Sequence, residues 1–77
     1  MERIFIGAGR MLRVTPGDLV GAITNEAGIG ARSIGTITIA ERHAIVEVAE
    51  ALVDDIIEAL RASTIKGKRV TIRRYRP

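Results

Sequence analysis

The sequence predicts an α+β domain in which two helices cover one face of a four-stranded antiparallel sheet. Apolar residues recur at a spacing of two in four segments and at helical spacing in two others, in the order strand, helix, strand, strand, helix, strand. Each helical segment carries one apolar stripe, and two such helices can cover only one face of a sheet. The 77 residues, 47% of them hydrophobic, predict a single domain over residues 1–77, with an ordered core over about 3–74 and a tail at 75–77.

The first strand and the first helix are marked by their local sequence. Residues 3–8 alternate between apolar and other side chains, which is typical of a strand. Thr15 can cap a helix and Pro16 suits the first helical position. Gly28 is a natural stop, so we expect a helix over residues 16–27.

The remaining segments complete the order of elements. Residues 35–39 and 43–48 predict two strands joined as a hairpin, and residues from about 50 to 61 predict an amphipathic helix. A turn at Lys66-Gly67-Lys68 leads to a last strand from 69 to about 74. This is the split βαβ arrangement of ferredoxin-like domains, which leaves the other sheet face open.

Composition excludes several classes of protein. There is no cysteine, so neither a disulfide framework nor a cysteine-based zinc site is available, and we expect no metal site and no cofactor in the domain itself. No apolar run approaches the roughly 20 residues of a membrane span, and the start of the chain does not resemble a signal peptide. We therefore expect a cytoplasmic domain without a membrane partner.

Alternation along the strands assigns side chains to the two sheet faces. The apolar parity predicts the face under the helices: Ile4, Ile6, Ile37, Ile39, Ala44, Val46, Val48, Val70 and Ile72. The opposite parity predicts the open face: Arg3, Phe5, Thr36, Thr38, His43, Ile45, Glu47, Arg69, Thr71, Arg73 and Tyr75. The one Phe, the one His and the one Tyr of the chain all fall on the open face.

The distribution of charge indicates a polyanionic partner. The net charge is +3, but residues 41–60 carry six acids against one Arg, whereas residues 61–77 carry seven Lys or Arg and no acid. Flat side chains at the centre of a sheet face stack on bases, and cations at its edges neutralise phosphates. The predicted RNA-binding residues are Arg3, Phe5, Arg10, Thr38, His43, Ile45, Lys68, Thr71, Arg73, Arg74 and Tyr75.

These residues have different expected roles. Phe5 is the first base platform, and His43 and Ile45 extend it. Thr38 and Thr71 are expected to donate to bases or sugars, and the cations to contact phosphates or bases. Tyr75 is either a further stacking residue or part of a frayed terminus.

The sequence also resembles a known family. RIFIGA looks like the first-strand motif of RNA-recognition modules, with Phe5 as its aromatic residue, and ERHAIVEV falls where their third-strand motif lies. The segments IFIGAGR, TPGDLVGAITNEAGI, IGTITI, VEV and TIKGKRVTIRR resemble, in this order, the DbpA-type RNA-binding domain at the C-terminal end of bacterial DEAD-box RNA helicases. The resemblance extends from Arg3 to Arg74.

This resemblance implies an accessory module without catalysis of its own. It would bind structured RNA, often ribosomal RNA in ribosome biogenesis, and deliver a helicase core in the same protein to a nearby duplex. ATP and Mg²⁺ would belong to that helicase core, whose motifs are absent from these residues. DNA is not an expected partner, and the domain is expected to be monomeric.

Two other classes of function stay open at this stage. A small acylphosphatase-like hydrolase would use Arg10 in the first loop, but the one Asn, Asn25, lies in a predicted helix. A protein-interaction module would use Met11 and Leu12, which are apolar and lie in the same loop. Gly7 and Gly9 lack the spacing of a dinucleotide fingerprint, and we interpret them as a bare, bendable exit from the strand. RNA would bind on the open face or along the helix edges and this loop.

Overall fold

The computed structural model describes residues 1–76 and has the predicted α+β, ferredoxin-like architecture. Its elements are β1 (Glu2–Ile6), α1 (Pro16–Ala27), β2 (Ile34–Ile39), β3 (Ala44–Val48), α2 (Val53–Arg61) and β4 (Ile72–Arg74). The four strands form one sheet in the order β2-β3-β1-β4, with every neighbouring pair antiparallel. Three 3-10 turns lie at Arg10–Leu12, Ala31–Ser33 and Glu50–Leu52. Pro77, the end of the expected tail, lies outside the described residues.

Helix α1 begins and ends where its sequence predicts. The Thr15 hydroxyl accepts the Asp18 N–H at 3.2 Å, and the Asp18 carboxylate accepts the Thr15 N–H at 2.9 Å, which closes a capping box. Gly28 ends the helix in the left-handed conformation, with φ of 66°.

Helix α2 is shorter than its pattern predicts. Residues 50–52 form a 3-10 turn, and the α-helix begins only at Val53. Its four large apolar residues are buried in the core: Val53, Ile56, Ile57 and Leu60. At its end the Arg61 side chain donates from Nε to the Ile72 carbonyl at 2.9 Å, which ties α2 to β4.

The last strand is also shorter than predicted. The sequence predicts a strand from residue 69, whereas β4 begins at Ile72. The reason is its position at the sheet edge: β4 pairs only with β1, and β1 ends at Ile6, which is the partner of Ile72. One further backbone bond, from the Gly7 N–H to the Thr71 carbonyl at 2.8 Å, extends this pairing without lengthening the strand.

The core lies between the helices and one sheet face, as the parity predicts. Ile4, Ile6, Val46 and Val48 are fully buried there. Three predicted core positions on or near the sheet edges are only partly buried, namely Ile37, Ile39 and Val70, whereas Ile72 of edge strand β4 is buried. No helix within residues 1–76 is long and apolar enough to cross a membrane.

Candidate nucleic-acid interface

The uncovered sheet face carries two rows of side chains that run across the strands. In the first row, Thr38 of β2 pairs with Ile45 of β3, Ile45 with Phe5 of β1, and Phe5 with Arg73 of β4. We call this set the central row. In the second row Arg3 of β1 pairs with Glu47 of β3. Thr36 and Tyr75 extend the second row at its two ends through hydrogen bonds to Glu47 and Arg3.

Phe5 lies between two other planar groups. Its ring is stacked on that of His43, with centroids 5.4 Å apart and planes 16° from parallel. The Arg73 guanidinium carbon lies 4.2 Å from the Phe5 ring centroid, which is within the range of a cation–π contact. Because β3 and β4 flank β1 on opposite sides, the two groups approach Phe5 from opposite sides.

This arrangement changes how Phe5 can meet a base. A base can stack directly on Phe5 only if it displaces His43 or Arg73. If both stay in place, the base stacks on the outer side of one of them instead. The sequence predicted that Phe5, His43 and Ile45 lie together, and the structure places them so. Sequence analysis missed the contact between Phe5 and Arg73. Both residues lie on the open parity of neighbouring strands, and this could have indicated the contact.

A shallow depression on the same face lies between the second row and the β2–β3 side of the central row. It has a volume of about 250 Å³ and is lined by Arg3, Thr36, Thr38, Ile45, Glu47 and Tyr75. Tyr75 reaches it because its backbone N–H donates to the Arg3 carbonyl at 2.9 Å. The pairing of the last segment with β1 therefore continues through Tyr75, which the sequence placed at the start of the tail.

Glu47 is the carboxylate in this depression, and sequence analysis did not include it among the site residues. Its Oε1 accepts the backbone N–H of Thr36 at 3.2 Å, and its Oε2 lies 3.8 Å from Nε of Arg3. The β2–β3 pairing is irregular between Ile34 and Ile37, so Thr36 lies where the regular register is broken. The hydrogen bonds from Thr36, first of all that from its backbone, and the charge of Arg3 hold the pKa of Glu47 below its ordinary value.

Three loops meet at one end of the sheet, and we call them the basic end: residues 7–15, 40–43 and 62–71. They contain six cations, Arg10, Arg13, Arg42, Lys66, Lys68 and Arg69, and one acid, Glu41. All six of these cations are exposed. Lys66 is paired with Asp18 of α1 at 3.2 Å. The basic end therefore offers a positive surface next to His43.

Gly9 fixes the first loop of the basic end against the β2–β3 hairpin. The N–H groups of Arg10 and Met11 donate to the carbonyls of Ala40 and Glu41, each at 2.9 Å. A Cβ at Gly9 would lie 2.7 Å from the His43 nitrogen, so only glycine fits there. The interpretation of Gly9 as a bendable exit was wrong, because the residue is buried in a close backbone contact.

Lys68 and Thr71 lie at the basic end. Lys68 closes a two-residue turn in which it exchanges both backbone hydrogen bonds with Ile65, at 2.8 and 3.0 Å. Lys66 and Gly67 have positive φ angles of 53° and 77° at the centre of this turn. Thr71 precedes β4, and its exposed side chain lies beside Gly7.

Met11 and Leu12 separate in the structure. Met11 is 62% exposed, whereas Leu12 is partly buried against the core. The sequence treated them as one apolar surface, but the 3-10 turn at Arg10–Leu12 directs only Met11 to the outside.

Arg74 does not share a face with the other predicted RNA-binding residues. Its parity is that of Ile72, on the helix-covered side, and its guanidinium lies 2.9 Å from Asp54 of α2 and 3.8 Å from Glu2. The structure thus places Arg74 in a cluster of ion pairs between the sheet edge and α2. The run of basic residues around it hid this difference, because adjacent strand residues point to opposite faces.

The fold and this face together define a small α+β nucleic-acid-binding domain, with stacked planar groups and cations on an uncovered sheet. The chain belongs to the DbpA RNA-binding domain family, whose model matches residues 3–74.

Several bacterial helicases contain a similar segment. The chain is 32% identical over 73 residues to the ATP-dependent RNA helicase DbpA of Escherichia coli K12, covering 95% of this chain and 16% of that protein. It is 38% identical over 71 residues to the ATP-dependent RNA helicase DeaD of Buchnera aphidicola, covering 92% and 12%. It is 32% identical over 72 residues to the DeaD helicase of Mycobacterium tuberculosis H37Rv, covering 94% and 13%. The chain thus spans at most about a sixth of these relatives.

Proposed function

We propose that this domain binds structured RNA, ribosomal RNA among the candidates, as the accessory module of an ATP-dependent RNA helicase. The domain itself has no catalytic role, and ATP and Mg²⁺ act in the helicase core of the parent protein, which works in ribosome biogenesis in the cytoplasm. The observation that carries the proposal is the stack of His43, Phe5 and Arg73 on a sheet face that no other element within residues 1–76 covers.

Two surfaces divide the work of binding. Unpaired bases stack on or next to the central row, where aromatic and guanidinium planes favour them. The cations of the basic end lie beside that row and neutralise the phosphates of the adjoining strand or duplex, with release of counterions. An RNA that combines unpaired nucleotides with a neighbouring helix contacts both surfaces at once.

The first loop gives little support to the hydrolase alternative. A loop that binds a phosphate offers free backbone N–H groups to it. Here the N–H groups of Arg10 and Met11 donate to Ala40 and Glu41, and that of Arg13 donates to Arg10. Exposed Met11 keeps a protein partner as the alternative to RNA.

Binding of the isolated chain to three nucleic acids across a salt series tests the proposal. The set is a ribosomal RNA hairpin with unpaired flanks, an unstructured RNA and a DNA duplex. We expect the hairpin to bind most tightly, with an affinity that falls steeply as salt rises. Affinities no better than millimolar for all three near physiological salt would reject RNA binding and favour a protein partner.

A further inference from the structure

We propose that Lys68 is a modification site, where the ε-amino group accepts an acyl group from an acyl phosphate such as acetyl phosphate. Acylation of this amine removes one of the six cations of the basic end. The effect on RNA rests on the proposed function, which assigns phosphate neutralisation to the basic end, whereas the modification itself does not depend on RNA.

The chain contains two lysines, Lys66 and Lys68, and both belong to the same tight turn at the basic end. A lysine amine becomes a nucleophile when it loses a proton, whereas arginine stays protonated in proteins. Both lysines are exposed. Exposure therefore does not separate the two amines, and their charged neighbours decide which of them an anionic acyl donor reaches.

The amine of Lys66 is engaged by a carboxylate. Its Nζ lies 3.2 Å from Oδ2 of Asp18. The same carboxylate accepts the Thr15 N–H at 2.9 Å, so the capping box of α1 holds it in place. The ion pair must open before Nζ can attack a carbonyl carbon, and the carboxylate repels an acyl phosphate because both are anions. Lys66 is therefore the poorer acyl acceptor of the two.

The amine of Lys68 has the opposite surroundings. Lys68 forms no ion pair within residues 1–76. Its backbone is fixed by the two hydrogen bonds to Ile65, whose side chain is buried in the core. Arg69 follows directly, and residues 62–71 contain no acid. A positive field of this kind raises the local concentration of an anionic reagent.

The acylation step balances without a further reactant. The unprotonated Nζ of Lys68 attacks the carbonyl carbon of the acyl phosphate, and an N–C amide bond forms. The bond from that carbon to the phosphate oxygen breaks, inorganic phosphate leaves, and the proton lost by the nitrogen passes to water. Cations of the basic end, Arg69 among them, stabilise the negative charge on the departing phosphate.

Acylation and RNA binding oppose each other at the basic end. The amide that forms is neutral, so an acylated Lys68 no longer neutralises an RNA phosphate. Each lost phosphate contact reduces the slope of log affinity against log salt by about one unit. Bound RNA in turn occupies the cations that attract the acyl phosphate, so the free domain is modified faster than the bound domain.

Treatment of the wild-type chain with acetyl phosphate at low salt tests the site. Cleavage after Glu58 keeps both lysines on one peptide, and fragment-ion mass spectrometry assigns each acetyl group to Lys66 or Lys68. We expect acetylation of Lys68 to be roughly three- to tenfold faster than that of Lys66, because local potential changes the concentration of an anionic reagent. Equal rates, or a faster reaction at Lys66, would overturn Lys68 as the preferred site.

Asp18→Asn tests the reason for the difference between the two amines. The Asn side chain has no charge, and its carbonyl oxygen can still accept the Thr15 N–H. We expect the acetylation rate of Lys66 to rise toward that of Lys68 in this variant. Asp55→Asn is the matched control, because it removes the same charge from an exposed position on α2 and should leave Lys66 slow. A Lys66 rate that stays low in folded Asp18→Asn would overturn the role of the ion pair.

Lys68→Arg separates loss of charge from other effects of the reagent, since arginine keeps the charge and accepts no acetyl group from acetyl phosphate. Binding of the ribosomal RNA hairpin is measured across a salt series before and after treatment of wild type and this variant. Treatment should reduce the slope by about one unit in wild type and leave it unchanged in Lys68→Arg. Equal changes in both chains would overturn the effect on RNA. Absence of RNA binding by the untreated chain would overturn the proposed function and this effect, whereas selective acetylation of Lys68 would stand.

Discussion

Phe5 occupies its place on the uncovered face because Ile4 and Ile6, its neighbours in β1, are both fully buried under the helices. Any side chain at this position faces away from the core. The phenyl ring also contacts His43 of the β2–β3 loop and Arg73 of β4, so its surroundings do not depend on β1 alone. This makes Phe5 the most informative single residue for testing the interface.

Phe5→Ala should weaken RNA binding by about 1–3 kcal/mol, since the loss of one stacked base has this size. The variant also removes the surface that orders Arg73 and His43. Titration of the ribosomal RNA hairpin measures the effect, and urea unfolding of the same variant checks the fold. An unchanged affinity in a folded variant would move the RNA from the sheet face to the basic end.

Two carboxylates, Asp18 and Glu47, have lowered pKa values and therefore make the stability of the fold depend on pH. The pKa of Asp18 is held below its ordinary value of 3.8 by hydrogen bonds, first from the Thr15 backbone and then from Lys66. The pKa of Glu47 is held below its ordinary value of 4.5 mainly by the hydrogen bonds from Thr36. A folded-state pKa below the unfolded value means that the ionised group stabilises the fold above the unfolded value, and that this stabilisation is lost as pH falls through the folded value.

The free energy of unfolding can be measured with urea at a series of pH values, from neutral to below the ordinary pKa values of both carboxylates. We expect it to fall once the pH drops past about 4.5. Asp18→Asn should lower stability at neutral pH and reduce the acid-dependent loss. Asp55→Asn serves as the control, because Asp55 is an exposed carboxylate outside the ion pairs found within residues 1–76. Equal acid-dependent losses in wild type and Asp18→Asn would contradict this prediction for Asp18.

Gly9 in the first loop and Gly21 in helix α1 differ in whether the surrounding structure has space for a side chain. Gly9 joins the first loop to the β2–β3 hairpin, and a Cβ there would meet backbone atoms of that hairpin. Gly21 lies inside α1, and a Cβ there would meet nothing within 4 Å. The helix thus tolerates a side chain, whereas the loop contact does not.

Gly9→Ala should lower the free energy of unfolding by about 1–3 kcal/mol, the usual cost of overpacking, because the backbone of the hairpin must move. Gly21→Ala should raise it by about 1 kcal/mol, as expected for alanine in place of glycine in a helix. Denaturant unfolding of both variants provides a matched comparison. Equal effects of the two substitutions would show that the loop does not depend on this close approach.

The sequence predicts elements well where a local rule is sufficient. Thr15 and Gly28 mark both ends of α1, and the alternation of β1 and β3 assigns Phe5 and Ile45 to the open face. It fails where pairing between distant segments decides. The start of β4 depends on where β1 ends, and Arg74 is paired with Asp54, which is 20 positions away. The Glu47 carboxylate accepts the Thr36 N–H where the β2–β3 pairing is irregular, and no local sequence pattern shows that irregularity.

For the whole molecule, the charges separate by location. The basic end carries six cations against one acid at one end of the sheet. The exposed side of α2 carries the acids Asp54, Asp55 and Glu58. A polyanion therefore meets an asymmetric field, which directs it to the basic end and away from α2.

Arg10→Gln should reduce the slope of log affinity against log salt by about one unit if this arginine neutralises one phosphate. Arg32→Gln is the matched control, because Arg32 is exposed in the connection at the opposite end of the sheet. The measurement is RNA binding at several salt concentrations for wild type and both variants. Equal slopes for Arg10→Gln and wild type would remove Arg10 from the phosphate contacts.

The close contact at Gly9 has a thermodynamic consequence for binding. The first loop and the β2–β3 hairpin are joined by backbone hydrogen bonds in the free domain, so the basic end does not have to fold when RNA arrives. Binding to a preorganised surface avoids the entropy loss that coupled folding requires. The heat capacity change of association, measured by calorimetry, should therefore reflect only the surface that the RNA covers and lack the larger decrease of a folding transition.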